Sequence, residues 1–279
     1  MNPNEAYNRF FRELFLAELM SRDQGWVLKG GTNLYCQIPG ARHTRDLDLY
    51  RQDDPTSFLR AAAELVETMD EAKIGSYRFN VSIPKGETVD GAIDNISLKV
   101  EIFYGVNPVV EFGIDVSGDL HVPVVTDFLD VQRSDGLDLE FMERDYRIRS
   151  YPIENQIADK ISAMYELHDL RQQPSTRYRD LYDIALISLE LRADASRLAE
   201  ALRIQAKIRC LTLPLELHLP SSEWADGYAR LIGRLVGPRQ EIIEVNDALR
   251  IAGALANPIL SSVESTVTGE WSPDAGRWI

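Results

Sequence analysis

Trp26-Val27-Leu28-Lys29-Gly30-Gly31-Thr32, followed fourteen residues after the threonine by Asp46-Leu47-Asp48-Leu49-Tyr50, is the stretch on which the reading of this 279-residue chain turns. The apolar run Trp26-Val27-Leu28 leads into the glycines as a strand, and Thr32 is suited to cap a helix that follows. Asp46 to Tyr50 alternates polar and apolar, which predicts a second strand. Residues two apart in a strand point to the same face, so the Asp46 and Asp48 carboxylates stand side by side. Adjacent acids repel unless a cation sits between them, and a divalent metal is the usual one. A glycine turn whose backbone N–H groups can hold phosphate, next to a metal-binding Asp-x-Asp, is the equipment of nucleotidyl transfer.

Working outward, Phe10, Phe11, Leu14, Phe15 and Leu19 fall at helical spacing and predict an amphipathic helix over 4–20. A short helix is expected over 33–38, and Asp54-Pro55 reads as the start of an Ala- and Leu-rich helix through 57–69. Tyr77, Phe79, Val81 and Ile83 alternate with polar residues as a strand with one wet face. Two more strands, 96–104 and 109–116, flank the turn Gly105-Val106-Asn107-Pro108. After about residue 150 the texture becomes helical, over 153–168, 178–191, 195–209, 223–236 and 242–255, with Asn257-Pro258 ending the last helix. The expected class is α+β: a mixed-sheet core over 1–150, an all-helical lobe over 151–260 closing a cleft, and a loosely ordered tail over 261–279.

No apolar run approaches the roughly 20 residues of a membrane span, and the polar start Met1-Asn2-Pro3-Asn4-Glu5 lacks the layout of a signal peptide, so a cytoplasmic location is expected. Cys36 and Cys210 are too few for a disulfide framework. The net charge of −14 works against indiscriminate nucleic-acid binding but leaves room for a local basic patch. Arg171, Arg177, Arg179, Arg203, Lys207 and Arg209 are the residues for such a patch, with a solvated helix face as the alternative.

Two strand acids compete as a third metal ligand. Asp115 in Phe112-Gly113-Ile114-Asp115-Val116 is preferred over Glu101 in Lys99-Val100-Glu101-Ile102, because Gly113 permits close approach of a backbone or ligand. Lys160, flanked by apolar positions, reads on spacing alone as a snorkelling surface lysine. Asp180 and Asp183 share one face of a helical first turn, where the helix dipole also favours acids. Arg42, His43 and Arg45 precede the acidic pair and suit either a phosphate or simple charge compensation. His43 is assigned no catalytic role, and His121, His168 and His218 have no identifiable partner.

Lys29-Gly30-Gly31-Thr32 together with Arg42-His43-Thr44-Arg45-Asp46-Leu47-Asp48-Leu49 resembles the first motif of the AbiEii/AbiGii (MenT-like) nucleotidyltransferase toxins. Ala158-Asp159-Lys160-Ile161 and Arg179-Asp180-Leu181-Tyr182-Asp183 resemble that family's later lysine and Arg-Asp-x-x-Asp motifs. The resemblance covers residues 26–190 and implies a polymerase-beta-like nucleotidyltransferase core with a helical C-terminal lobe. It implies the toxin of a bacterial toxin–antitoxin system, with a cognate antitoxin as partner, adding nucleotides from an NTP to the 3′ end of tRNA and so blocking translation. By position, Gly30, Gly31, Thr32 and Arg45 would bind the nucleotide, and Asp46 and Asp48 would hold Mg²⁺ or Mn²⁺. Lys160 would bind the triphosphate, and Asp180 or Asp183 would support the site.

The chemistry agrees with the residue inventory. Metal ions can acidify an attacking 3′-hydroxyl and neutralise departing pyrophosphate, so neither a histidine nor a cysteine nucleophile is required. Two other readings stand beside this one. One is nucleotidyl or phosphoryl transfer to a protein or small molecule; the other is a non-catalytic nucleotide-binding module acting through a partner.

Overall fold

The computed structural model describes residues 3–38, 40–42, 44–52, 57–84, 95–118, 126–133, 140–141, 145–168, 173–261 and 267–279. Asp54-Pro55, His43, His121 and Arg171 lie outside these residues, as does 262–266 of the tail. The chain divides into two units, one of residues 1–37 and 43–152, the other of 38–42 and 153–279.

The first unit runs α1 (Pro3–Arg22), β1 (Trp26–Lys29), α2 (Gly30–Gln37), β2 (Leu47–Arg51), α3 (Phe58–Met69), β3 (Ala72–Ile74), β4 (Tyr77–Ser82), β5 (Asn95–Tyr104), β6 (Asn107–Ser117), β7 (Asp127–Gln132) and β8 (Asp145–Ser150). Its strands form one mixed sheet in the order β3-β4-β5-β6-β2-β1-β8-β7. β2 pairs with β6 and β1 with β8 in parallel; the other pairs are antiparallel. Period-2 alternation in β5 sends Ile96, Leu98, Val100 and Ile102 into the core and leaves Ser97, Lys99 and Glu101 on the opposite face. Phe11, Leu14, Phe15 and Leu19 of α1 and Leu65 and Met69 of α3 complete that core. Each such burial contributes about 1.5–3 kcal/mol. The helices thus cover one face of the sheet, and the aspartates belong to the other.

The second unit contains α4 (Ile153–Tyr165), the short pair β9 (Leu167–His168) and β10 (Gln173–Pro174), α5 (Tyr178–Glu190), β11 (Ala193–Asp194), α6 (Ala195–Ile208), α7 (Trp224–Ile232), α8 (Val245–Leu260), β12 (Glu270–Ser272) and β13 (Arg277–Trp278). α5 is its central helix, buried continuously from Asp180 to Ser188.

Several elements depart from the sequence reading. The glycines are the first two residues of α2 rather than a separate turn. β3, β7 and β8 were not expected. α8 continues through Pro258 to Leu260, because the proline sits in the last turn, where its missing N–H leaves only the carbonyl of exposed Ala254 without its helical donor. The tail beyond residue 266 is not loose: β12 and β13 form a hairpin beside β11. Trp271 is 1% exposed and donates its indole N–H to the Ser188 carbonyl at 2.8 Å, and Trp278 donates to the Leu255 carbonyl at 3.0 Å. No described helix is long and apolar enough to cross a membrane.

Candidate active site

The site begins where β1 ends. Asn33 of α2 is buried, donates to the Tyr151 carbonyl at 3.0 Å and accepts the Ser150 hydroxyl at 2.8 Å, which locks the helix start against the end of β8. α2 carries no acid in its own first turn; the carboxylate found there comes from Asp48. Gly30 has φ +69°, and a methyl group on its α-carbon would overlap the Asp48 carboxylate. Glycine is therefore required twice over at this position, by backbone conformation and by contact.

Strand register assembles the remaining groups. Asp48 is the cross-strand partner of Lys29 on one side and of Asp115 on the other, and Asp115 is in turn the partner of Ser97. Lateral neighbours share a face, so Lys29, Asp48, Asp115 and Ser97 form a row across four strands. The Ser97 hydroxyl donates to Asp115 Oδ1 at 2.6 Å. Asp46, just before β2, sets its carboxylate over Gly113, where a methyl group would stand 2.8 Å from Oδ1. The space left by Gly113 thus admits a side chain of the site itself. Glu101 lies four residues along β5 from Ser97, about 13 Å away at strand rise, and pairs with Lys99 at 3.0 Å.

Enclosure raises the Asp46 carboxyl above its ordinary range, and the neighbouring Asp115 charge adds to this, against the opposing pull of Arg12, the Gly113 N–H and Arg45. Arg12 is buried on α1 and donates to the Arg45 carbonyl at 3.2 Å. The Thr32 and Thr44 hydroxyls lie 2.7 Å apart and both reach the Asp46 carbonyl, at 3.3 and 3.2 Å. Thr32 therefore shapes the approach to the aspartates, and Arg45 acts on Asp46 through its charge. Asp46, Asp48 and Asp115 offer hard oxygen donors of the kind Mg²⁺ or Mn²⁺ takes, on a face where the Asp46 and Asp115 charges repel one another. Among the described residues, however, no three acidic, imidazole or thiol groups already converge as a finished metal cage.

Lys160, Asp180 and Asp183 belong to the second unit and are almost wholly buried there. Lys160 Nζ donates to Asp183 at 2.6 Å and to Asp180 at 3.2 Å. Arg42, from the short segment that packs with this unit, grips Asp183 through two bonds of 2.8 and 2.6 Å, and Arg177 holds Asp180 at 2.7 Å. Burial pushes the Asp183 carboxyl up, but Lys160 and Arg42 outweigh it and hold it below its ordinary value. Burial likewise pulls the Lys160 ammonium down, and Asp183 and Asp180 outweigh it and leave it raised. The lysine and the two aspartates thus form one compensated brace rather than a surface lysine beside two helix-start acids.

The arginine patch is partly dismantled. Arg177, Arg203 and Arg209 are ion-paired with Asp180, Glu200 and Glu166, which leaves Arg179 and Lys207 exposed without a carboxylate partner among the described residues. Sequence reasoning missed Arg12, Ser97 and the Arg42–Asp183 pair. Arg12 lies in the continuously buried run 11–16 of α1, so helical spacing gives it no distinction.

Comparisons with known proteins bear on the family and on the fold. No curated protein matches the sequence. The fold is similar to that of MenT4, a nucleotidyltransferase toxin from Mycobacterium tuberculosis, with a TM-score of 0.56 and 18% identity over 94% of this chain and 86% of that one. A structure described as a putative nucleotidyltransferase from H. pylori aligns at a TM-score of 0.49 and 16% identity, over 95% of this chain and 98% of its own. The family described as nucleotidyl transferase AbiEii toxin, type IV toxin–antitoxin system, matches residues 14–251. With most of its length matched and a glycine-led helix set against an Asp-x-Asp strand, the chain belongs to the AbiEii nucleotidyltransferase toxins of toxin–antitoxin systems.

Proposed function

We propose that this protein transfers a nucleoside monophosphate from an NTP to the 3′ end of tRNA, with Mg²⁺ or Mn²⁺, and thereby blocks translation until its cognate antitoxin restrains it. The observation that carries the reading is the register of β2 against β6, which sets Asp48 beside Asp115 two residues after Asp46, at the glycine start of α2. In this reading those three aspartates hold the metal, and the backbone at Gly30, Gly31 and Thr32 receives phosphate.

Transfer breaks the bond between the α-phosphorus and the pyrophosphate oxygen and forms one to the acceptor 3′-oxygen, which gives up its proton. Asp115, oriented by Ser97 through Oδ1, keeps Oδ2 to take that proton. A bound divalent metal supplies charge neutralisation and acidifies the attacking hydroxyl. Arg12 and the two threonines fix the approach to Asp46, so the carboxylates are positioned before substrate arrives.

Incubating the protein with each labelled NTP and either total tRNA or total protein tests the proposal. Label is expected in tRNA, and Asp48→Ala is expected to reduce it more than about 100-fold and to relieve growth inhibition. A second reading, with a protein or small molecule as acceptor, is favoured by the buried ion pair that holds Arg209 on Glu166 at 3.0 Å and so removes it from a basic patch. Label in protein and none in RNA would establish that one instead.

A further inference from the structure

Away from the aspartates, the first unit holds a cavity of about 350 Å³, within the range of about 300–1,000 Å³ that small-ligand pockets occupy. Gly30, Asp46, Asp48 and Asp115 take no part in its walls. Leu14, Ala17 and Met20 of α1, with Ile74 of β3, give it an apolar lining. Ile74 and Phe128 come from β3 and β7, the opposite edges of the eight-stranded sheet, so the sheet curls around α1 until both edges reach the cavity. The charged groups of the wall differ in condition. Glu18 is taken by Arg22 at 2.7 Å and Arg147 by Asp130 at 2.8 Å. Asp145 is exposed to water and stands four residues from Arg149 along β8, about 13 Å at strand rise. Arg149 is half-buried and makes no ion pair among the described residues. Its Nε is enclosed without a hydrogen-bond acceptor, and its guanidinium leans on the Phe128 ring at 5.0 Å from the centroid.

We propose that this cavity binds a small amphipathic carboxylate, with its apolar body against the α1 side chains and Ile74 and its carboxylate on the Arg149 guanidinium. The inference does not depend on the nucleotidyl-transfer reading. An enclosed guanidinium without an acceptor is a cost to the fold, and a carboxylate matches its planar fork in two parallel bonds. A neutral ligand of the same shape would leave that cost in place. A more highly charged phosphonate or phosphate would meet stronger repulsion from Glu18 and Asp145. Phe128 and Phe141, 44% and 40% exposed, are apolar surface at the cavity that the ligand body would cover.

The test is calorimetric titration of the full chain with three matched probes: phenylbutyrate, phenylbutanol and phenylbutylphosphonate. Phenylbutyrate should bind about 10- to 100-fold more tightly than phenylbutanol, the range for hydrogen bonding to a charged group, and more tightly than the phosphonate. Arg149→Met should bring phenylbutyrate down to the level of phenylbutanol while leaving phenylbutanol within about twofold, since only the charged contact is lost. Ala17→Phe should fill the cavity and abolish binding of both. Each variant is first checked for the wild-type unfolding transition, and Arg149→Met decides the matter if Ala17→Phe does not fold. No binding of phenylbutyrate by the wild-type protein, or equal binding of phenylbutanol, overturns the proposal. So does a preference for phenylbutyrate that survives in Arg149→Met, or binding undiminished in a folded Ala17→Phe. A preference for the phosphonate overturns the carboxylate class.

Discussion

Asp180 and Asp183 of the second unit are closed in by Lys160, Arg42 and Arg177, whereas Asp46, Asp48 and Asp115 of the first stand beside one another among glycines and a serine hydroxyl. The first arrangement drives a carboxyl below its ordinary value and the second drives one above it. Burial favours the neutral acid in both places, so the difference comes from the neighbours. Compensated carboxylates stabilise a fold. Carboxylates crowded beside one another, as Asp115 is beside Asp46, store repulsion that a further cation or a substrate relieves, which is how functional carboxylates are set apart from structural ones.

The harshest way to break this contrast is to remove an acid from the brace. Asp183→Ala leaves Lys160 and Arg42 buried without their shared partner and should cost about 3–5 kcal/mol, read as a fall in the urea midpoint. The triple replacement of Asp183, Lys160 and Arg42 by apolar residues of similar volume should recover much of that loss. If Asp183→Ala unfolds like wild type, the network is not what holds the second unit together.

Metal is the next lever, and it should act on the other trio. At a Mn²⁺ concentration about 100 times the dissociation constant, the wild-type protein should gain about 2.7 kcal/mol. Asp46→Asn/Asp48→Asn should gain nothing and still fold, since each amide keeps the size and shape of the carboxylate it replaces. A gain retained in that double variant would move the metal elsewhere.

Gly30 sharpens the comparison at the level of backbone. Gly30→Ala places a side chain at φ +69° and should cost about 1–2 kcal/mol from conformation alone, with a further loss from displacing Asp48. Adding Asp48→Ala should return the second part and not the first. Gly113→Ala should be milder, because the group it meets is the movable end of Asp46 and its own backbone lies outside the left-handed region.

How far this was legible in the chain depends on range. The glycines with Asp46 and Asp48 are local signals, and so are the apolar periodicities of α1, β5 and the long helices. Preferring Asp115 to Glu101 from the neighbouring Gly113 points to a residue that strand register places beside Asp48, but the register itself cannot be read from one strand. β8 alternates buried Tyr146 and Ile148 with Arg147 and Arg149, so a six-residue strand offers only two apolar positions to mark it. Arg42 and Asp183 are 141 residues apart, and nothing local joins them. The terminal hairpin had a signal that composition concealed: Trp271 and Trp278 flank Ser272-Pro273-Asp274-Ala275-Gly276, an apolar pair around a turn inside a polar tail.

Acid separates the two kinds of aspartate most finely. The folded-state value of Asp183 is lowered, so its contribution to stability is complete above the unfolded value of about 3.9 and is lost as pH falls below it through the folded value. Asp46 is raised, so its ionised form opposes folding at neutral pH, and that opposition disappears as pH falls through a folded value above the unfolded one. In metal-free buffer, Asp46→Asn should therefore be slightly more stable than wild type at pH 7, by less than about 0.5 kcal/mol for so accessible a charge. That advantage should shrink toward pH 4, while the deficit of Asp183→Asn holds nearly constant to pH 4 and narrows only below it. Urea midpoints taken across pH 3 to 7 would show the two curves bending in different windows. A single shared window would mean that the neighbours, and not only burial, act alike at both places.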